Sequence, residues 1–220
     1  MSDGSIGDHA GRGRGRTGRP PLTDERRAAF RQEIARAAVE LFVAQGVAAT
    51  TGEQIARAVG VSSRTLWRYF PNKESCVSPL FAAGIDAIGA ALRAWPEDGS
   101  LEDALEGPTS GEGLTPLPQM PRVRALLRLT RTEPGLRAVW LQAHDEAEPV
   151  FARALADRAG LATVDLRSHI QAAMLNAALR VAVEHYAWRT EETESTPEKA
   201  RAEVTATVRS ALGVAARGIS

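Results

Sequence analysis

The stretch from Thr51 to Phe70, T-G-E-Q-I-A-R-A-V-G-V-S-S-R-T-L-W-R-Y-F, constrains the fold of this chain more than any other. Its first half predicts a short helix from about Gly52 to Val59, with Thr51 placed to cap it and Ile55 and Val59 one turn apart on one face. Gly60-Val61-Ser62 breaks the pattern. Glycine takes the left-handed backbone that ends a helix, Val61 plugs the angle between two helices, and Ser62 caps the next one. The second helix then carries Leu66 and Phe70 inward. Two short helices joined by a tight glycine turn form a helix-turn-helix, whose second helix enters the DNA major groove with its N-terminal residues at the base edges. Here those residues are Ser62, Ser63, Arg64 and Thr65, all able to hydrogen-bond bases or phosphates. Similar helix pairs occur in proteins that never meet DNA, so the surrounding sequence has to weigh in.

Charge supplies that weight. The chain has 220 residues with 27 basic and 27 acidic side chains, a net charge of zero. Residues 1–80 hold 12 of the basic and 8 of the acidic groups, which leaves 15 against 19 for the remainder. A basic head on an acidic body points to a polyanionic partner at the head alone. The composition, 44% hydrophobic and only 5% aromatic, is rich in helix-forming residues and shows no alternating strand pattern. The fold expected is therefore all-α. A single cysteine, Cys76, excludes an intrachain disulfide and fits a reducing cytoplasm. No apolar leader follows Met1, and no apolar run of membrane-spanning length is expected.

The pattern T51-x3-I55-A56-x3-G60-V61-S62-x2-T65-L66-W67-R68-Y69-F70-x2-K73-E74 resembles the tetracycline-repressor (TetR) family of bacterial regulators. Two positions depart from the usual family residues: Trp67 stands where Tyr is common, and Tyr69 where His is frequent. Both keep a flat apolar body with a donor. The resemblance implies a three-helix DNA-binding head over residues 22–72, preceded by a basic arm (1–21) and followed by an effector-binding and dimerisation body (73–220). It implies DNA contacts from Thr51, Ser62, Ser63, Arg64, Thr65, Trp67, Arg68 and Tyr69, and a phosphate contact from Lys73. The arm carries Arg12, Arg14, Arg16 and Arg19 in a glycine-rich run similar to an AT-hook, so Arg14, Arg16 and Arg19 are placed in a narrow minor groove. A solvated low-complexity tail is the competing reading of that run.

Helical periodicity extends through the body. Helix 1 is expected from Thr23 to Gly46, and a long linking helix 4 from Lys73 to Pro96, on the order of 35 Å at 1.5 Å per residue. Gly107–Pro118 reads as a loop, and helix 6 covers about Arg122 to Thr132. Helix 7 runs towards Gly160, with Pro149 expected to kink or interrupt it. Residues 165–189 are apolar around most of the circumference and therefore need cover on several sides. After a polar hinge from Glu191 to Thr196, Pro197 opens the last helix. In the family the last two helices pair with their copies, which implies a homodimer interface at Ala173, Ala177, Ala178, Val181, Val208 and Leu212. The family also implies an effector pocket within the body. Trp140, His144, Phe151, Met174 and Asn176 are the candidates to line it, each with plain core packing as the alternative, and an apolar or aromatic effector is the expectation.

His144-Asp145-Glu146-x-Glu148 has the residue types of a catalytic or metal cluster, but neighbours on a helix point in different directions and do not converge. No metal-binding, nucleotide-binding or nucleophile motif is present, and no cofactor or metal is expected. An α-helical enzyme that keeps a DNA-binding-like N-terminus, and a helical protein-interaction module, remain the alternatives to a ligand-responsive repressor of a pseudo-palindromic operator.

Overall fold

The computed structural model describes residues 23–106, 121–189 and 197–217. The arm with Arg14, Arg16 and Arg19, the 107–118 loop and the 191–196 hinge lie outside the described residues. Among the described residues every regular element is helical: α1 (Asp24–Gln45), α2 (Gly52–Ala58), α3 (Ser63–Tyr69), a 3-10 turn (Glu74–Val77), α4 (Ser78–Arg93), α5 (Leu101–Glu106), α6 (Pro121–Leu129), α7 (Pro134–Arg158), α8 (Leu166–Arg189) and α9 (Pro197–Arg217).

The head forms for local reasons. The Thr23 hydroxyl accepts from the Arg26 N–H to start α1, and Gly46, at φ +84°, stops it. Ile34, Ala35, Ala38, Val39 and Phe42 make one buried face along α1. Ile55 and Ala56 of α2 and Leu66 and Phe70 at α3 join the same core. Gly60 takes φ +70°, and the Val61 N–H reaches back to the Ala56 carbonyl at 2.9 Å, which closes α2 and sets the turn.

The apolar core is continuous from the head into the body. The chain enters the body through the 3-10 turn, so the linker is a 3-10 turn followed by a 16-residue helix, not the single helix expected. The path is about 32 Å, close to the expected span, because 3-10 residues rise more steeply than α residues. Glu74–Arg93 is also long and apolar enough to cross a membrane by length and composition, contrary to expectation. Here α4 packs against α1 and α7, and its Pro79, Leu80, Phe81, Gly84 and Ile85 are buried. Helix α7 runs in the same direction as α4: Gly135 lies against Glu74, Phe81 against Trp140 (ring centroids 4.8 Å apart), and Gly89 against Val150 and Phe151.

Pro149 does not interrupt α7, which runs unbroken for 25 residues. The carbonyl that loses its partner belongs to Asp145, and both residues face solvent, so water can satisfy it. Gly160, at φ +69°, ends the helix, and Asp165 caps α8 by accepting from the Ser168 N–H and hydroxyl, which holds its carboxyl below the usual range.

Two buried polar links join α7 to α8. Glu184 accepts from Trp140 Nε1 at 2.7 Å and from Arg137 at 2.5 Å, with Arg180 at 3.4 Å. Asn176 Nδ2 donates to the His144 carbonyl at 2.9 Å, which orients the amide so that its Oδ1 accepts from His144 Nδ1 at 2.6 Å. Nδ1 therefore carries the proton, and Nε2 is left buried without a partner. Burial, which Asn176 only partly offsets, lowers the His144 pKa from its ordinary 6.5. An unfolded His144 takes a proton near pH 6.5 while the folded one resists it, so its contribution to stability is complete above that pH and is lost as pH falls below it. The urea midpoint of the protein is expected to drop between pH 7 and 5.5, and less steeply in His144→Gln; equal slopes would show that His144 takes its proton without cost in the fold.

Candidate nucleic-acid interface

Both short helices of the head are capped by the residues expected to cap them. Thr51 Oγ1 accepts from the Gln54 N–H at 3.3 Å, and Gln54 Oε1 accepts from the Thr51 N–H at 2.7 Å, a reciprocal capping box. Gln45 Nε2 reinforces it with a 3.0 Å bond to Gln54 Oε1. Ser62 Oγ accepts from the Thr65 N–H at 3.2 Å and lies 3.0 Å from Thr65 Oγ1. Thr51, Ser62 and Thr65 are thus engaged in building the motif. Arg64 and Arg68 on α3 are exposed, while Ser63 and Thr65 are partly covered.

Trp67 is 41% exposed, and its indole lies against Gly52, where a Cβ would stand 2.0 Å from Cζ2. This glycine lets the larger ring occupy a position where the family favours tyrosine. Tyr69 is half-buried, with its ring edge-on to Phe30 at 5.4 Å and the Arg68 guanidinium 5.3 Å above it.

Lys73 differs from the expectation. Its Nζ donates to the carbonyls of Val47 at 2.6 Å and Thr50 at 2.9 Å, so it staples the α1–α2 loop to the start of the linker. Those carbonyls follow Gly46 in the loop, outside either helix; Val47 also accepts from the Thr50 N–H at 3.2 Å, and Lys73 adds a charged donor to both.

Two residues outside the sequence-derived set tie α1 to the recognition helix and to the start of α4. Arg31 NH1 donates to the Tyr69 carbonyl at 3.2 Å, and its guanidinium lies 4.6 Å above the Phe70 ring. Gln32 Nε2 donates to the Pro79 carbonyl at 2.9 Å. One turn of α1 therefore touches both the end of α3 and the start of α4. No local sequence signal marks these partners, because they lie 38 and 47 residues away.

The body residues assigned to a pocket separate into three groups. Trp140 and Phe151 are core, His144 and Asn176 bond each other, and Met174 points outward at 43% exposure. The expected pocket side of α8 at Met174 is its surface side. A described cavity of about 880 Å³ lies elsewhere, in an open cleft between α1, the start of α4, and α7. On the outer face of α8, Leu166, Ile170, Met174 and Val181 are exposed at helical spacing, with Ala177 among them. The two α9 residues assigned to the dimer face do not join that stripe: Leu212 is buried in its own subunit, and Val208 packs against the same core. Ala173 and Ala178 are only partly exposed. Cys76 is buried, and desolvation together with Glu74 pushes its thiol up to about 12, so it is inert.

The profile for bacterial regulatory proteins of the tetR family matches residues 34–79, which are the buried half of α1, the helix-turn-helix and the entry to α4. The chain belongs to the tetR family. It is 34% identical over 152 residues to the transcriptional regulator TcmR of Streptomyces glaucescens, covering 64% of this chain and 66% of that one. It is 29% identical over 174 residues to MftR of Mycobacterium tuberculosis, a candidate regulator of mycofactocin biosynthesis, covering 79% and 86% of the two chains. The fold is similar to that of a candidate tetR-family regulator from Mesorhizobium loti, with a TM-score of 0.53 at 20% identity over 85% of this chain and 97% of that one. Among the described residues no cluster of His, Cys, Asp and Glu is arranged to hold a metal.

Membership gives the exposed arginines a test. Arg64→Ala is expected to cost roughly 1–3 kcal/mol on operator DNA and to relax base preference, as a lost bidentate guanine contact would. An equal loss on random DNA would make Arg64 a phosphate contact. Lys73→Ala is expected to lower the thermal midpoint while leaving the salt dependence of DNA binding unchanged, since a phosphate contact would shift that slope by about one.

Proposed function

We propose that the protein is a homodimeric, ligand-relieved transcriptional repressor of the cytoplasm. Its head, residues 22–72, reads one half-site of a pseudo-palindromic operator, and its body, residues 73–220, binds an effector and the second subunit. The observation that carries this reading is an α3 whose Arg64, Trp67 and Arg68 are exposed on a frame that capping bonds, Arg31 and Lys73 hold rigid. A preorganised helix presenting cations to solvent suits a groove better than it suits an enzyme site.

Dimerisation follows from the outer face of α8. Its exposed apolar residues form one stripe, and a soluble helix with such a stripe is covered by a partner. Two heads joined this way meet successive major-groove faces about 34 Å apart or a multiple of it. Effector binding selects a dimer whose heads are spaced wrongly for the operator, so each ligand weakens the other's affinity by the same factor. TcmR and MftR, both named as regulators of transcription, support the assignment.

A gel shift with the DNA upstream of the protein's own gene tests the reading. The wild type is expected to bind as a dimer. Ile170→Glu puts an unpaired charge in the middle of the α8 stripe and should cost several kcal/mol of association. Because Ile170 is exposed in the subunit, the variant should stay helical by circular dichroism while sedimenting as a monomer and losing the shift. A dimeric, DNA-binding Ile170→Glu would move the interface off this face.

A further inference from the structure

The cleft between α1, α4 and α7 has a volume of about 880 Å³, within the range of small-molecule sites, and most of its wall is alanine, proline and valine. Its charges are separated by the course of the helices. Because α4 and α7 run in register from Glu74–Gly135 through Phe81–Trp140 to Gly89–Val150, Asp86 and Glu146, which both line the cleft, come level with each other near its far end. Neither carboxylate has an ion pair among the described residues, and the polar bond recorded at Glu146 is from Gln142 Nε2 at 2.9 Å. The lining cation, Arg31, is at the head end, held by the Tyr69 carbonyl and the Phe70 ring. An apolar trough that ends in two unpaired carboxylates complements a molecule with an apolar body and a positive end.

We propose that this cleft binds an amphipathic cation, an amine or quaternary ammonium on an apolar body, and, resting on the regulator reading above, that it is the effector site. The ammonium lies at Asp86 and Glu146. The apolar body lies along Pro79, Ala82, Val139 and Ala143 towards the head. At that end the cleft wall is Arg31 and Gln32, the two side chains that tie α1 to the Tyr69 and Pro79 carbonyls. A ligand that wedges α1 away from α4 strains those ties directly, so the signal reaches α3 through one turn of one helix and does not need to cross the body. The coupling is the difference in ligand affinity between the two spacings of α1 and α4.

The test uses the full chain and two probes of one length below their micellar concentrations, decyltrimethylammonium and decyl sulfate, with binding measured by calorimetry without DNA. The cation is expected to bind one per chain and at least ten-fold more tightly than the sulfate. The double variant Asp86→Asn/Glu146→Gln removes only solvent-facing charge and should lose at least ten-fold for the cation. Ala82→Trp fills the trough and should lose binding of both probes. Equal affinities for the two probes, or full cation affinity in both variants, overturns the site. Operator binding is then measured separately with and without the cation. A wild type that binds the cation and holds its operator unchanged overturns the effector role. A wild type that binds the cation but shifts no upstream DNA overturns the regulator reading and with it the effector role, while the binding site stands on the calorimetry.

Discussion

The buried face of α1 carries α2 of the head and part of the body, and α3 packs on α2. Ile34, Ala35, Ala38, Val39 and Phe42 are all but inaccessible, and α1 touches α2, the 3-10 turn, α4 and α6. Burying one large apolar side chain is worth about 1.5–3 kcal/mol, so this face outweighs any single polar contact in the head. It also means that α1 cannot shift without disturbing both halves of the molecule. Close-packed interfaces of this kind move between discrete arrangements and do not deform smoothly.

The polar contacts specify where that packing leaves freedom. Arg31 and Gln32 extend from the edge of the same helix to backbone carbonyls at the end of α3 and in the first turn of α4. Lys73 closes the loop between α1 and α2. The Tyr69, Val47 and Thr50 carbonyls lie at a helix C-terminus or in a loop, where helical partners are lacking, while the Pro79 carbonyl accepts from Gln32 at the start of α4. The head is thus locked by three long side chains that donate to backbone carbonyls. In the body the same role falls to Glu184 and Asn176, which cross-link α7 to α8 from buried positions.

The outer surface divides by chemistry. Exposed cations stand on α3, an apolar stripe on α8, and a mixed cleft between α1, α4 and α7. These three surfaces suit a polyanion, a second subunit and a small molecule respectively. The cleft shares α1 with the head. An arrangement in which one helix borders the cleft and is tied to the end of the recognition helix gives a short mechanical path between them.

The helix-turn-helix was legible because its determinants are local. A cap, a left-handed glycine and an i, i+4 pair act within a few residues, and Thr51, Gly60, Ser62 and Leu66 all do in the structure what those patterns require. Helix existence along the body was legible for the same reason. Side-chain destinations were not. Lys73 carries the signature of a phosphate ligand, yet in the fold it bonds two loop carbonyls 23 and 26 residues back in the chain. Along α8 the apolar residues go almost all the way round, so periodicity could not say that Met174 faces outward while Leu175 and Asn176 face in. Leu212 reads as an interface residue until α8 is placed against α9 and covers it. Capping and periodicity are properties of a chain with its immediate neighbours, and sequence alone determines them. Which face meets core, partner or cleft depends on helices brought together from distant parts of the chain, and only the tertiary structure decides it.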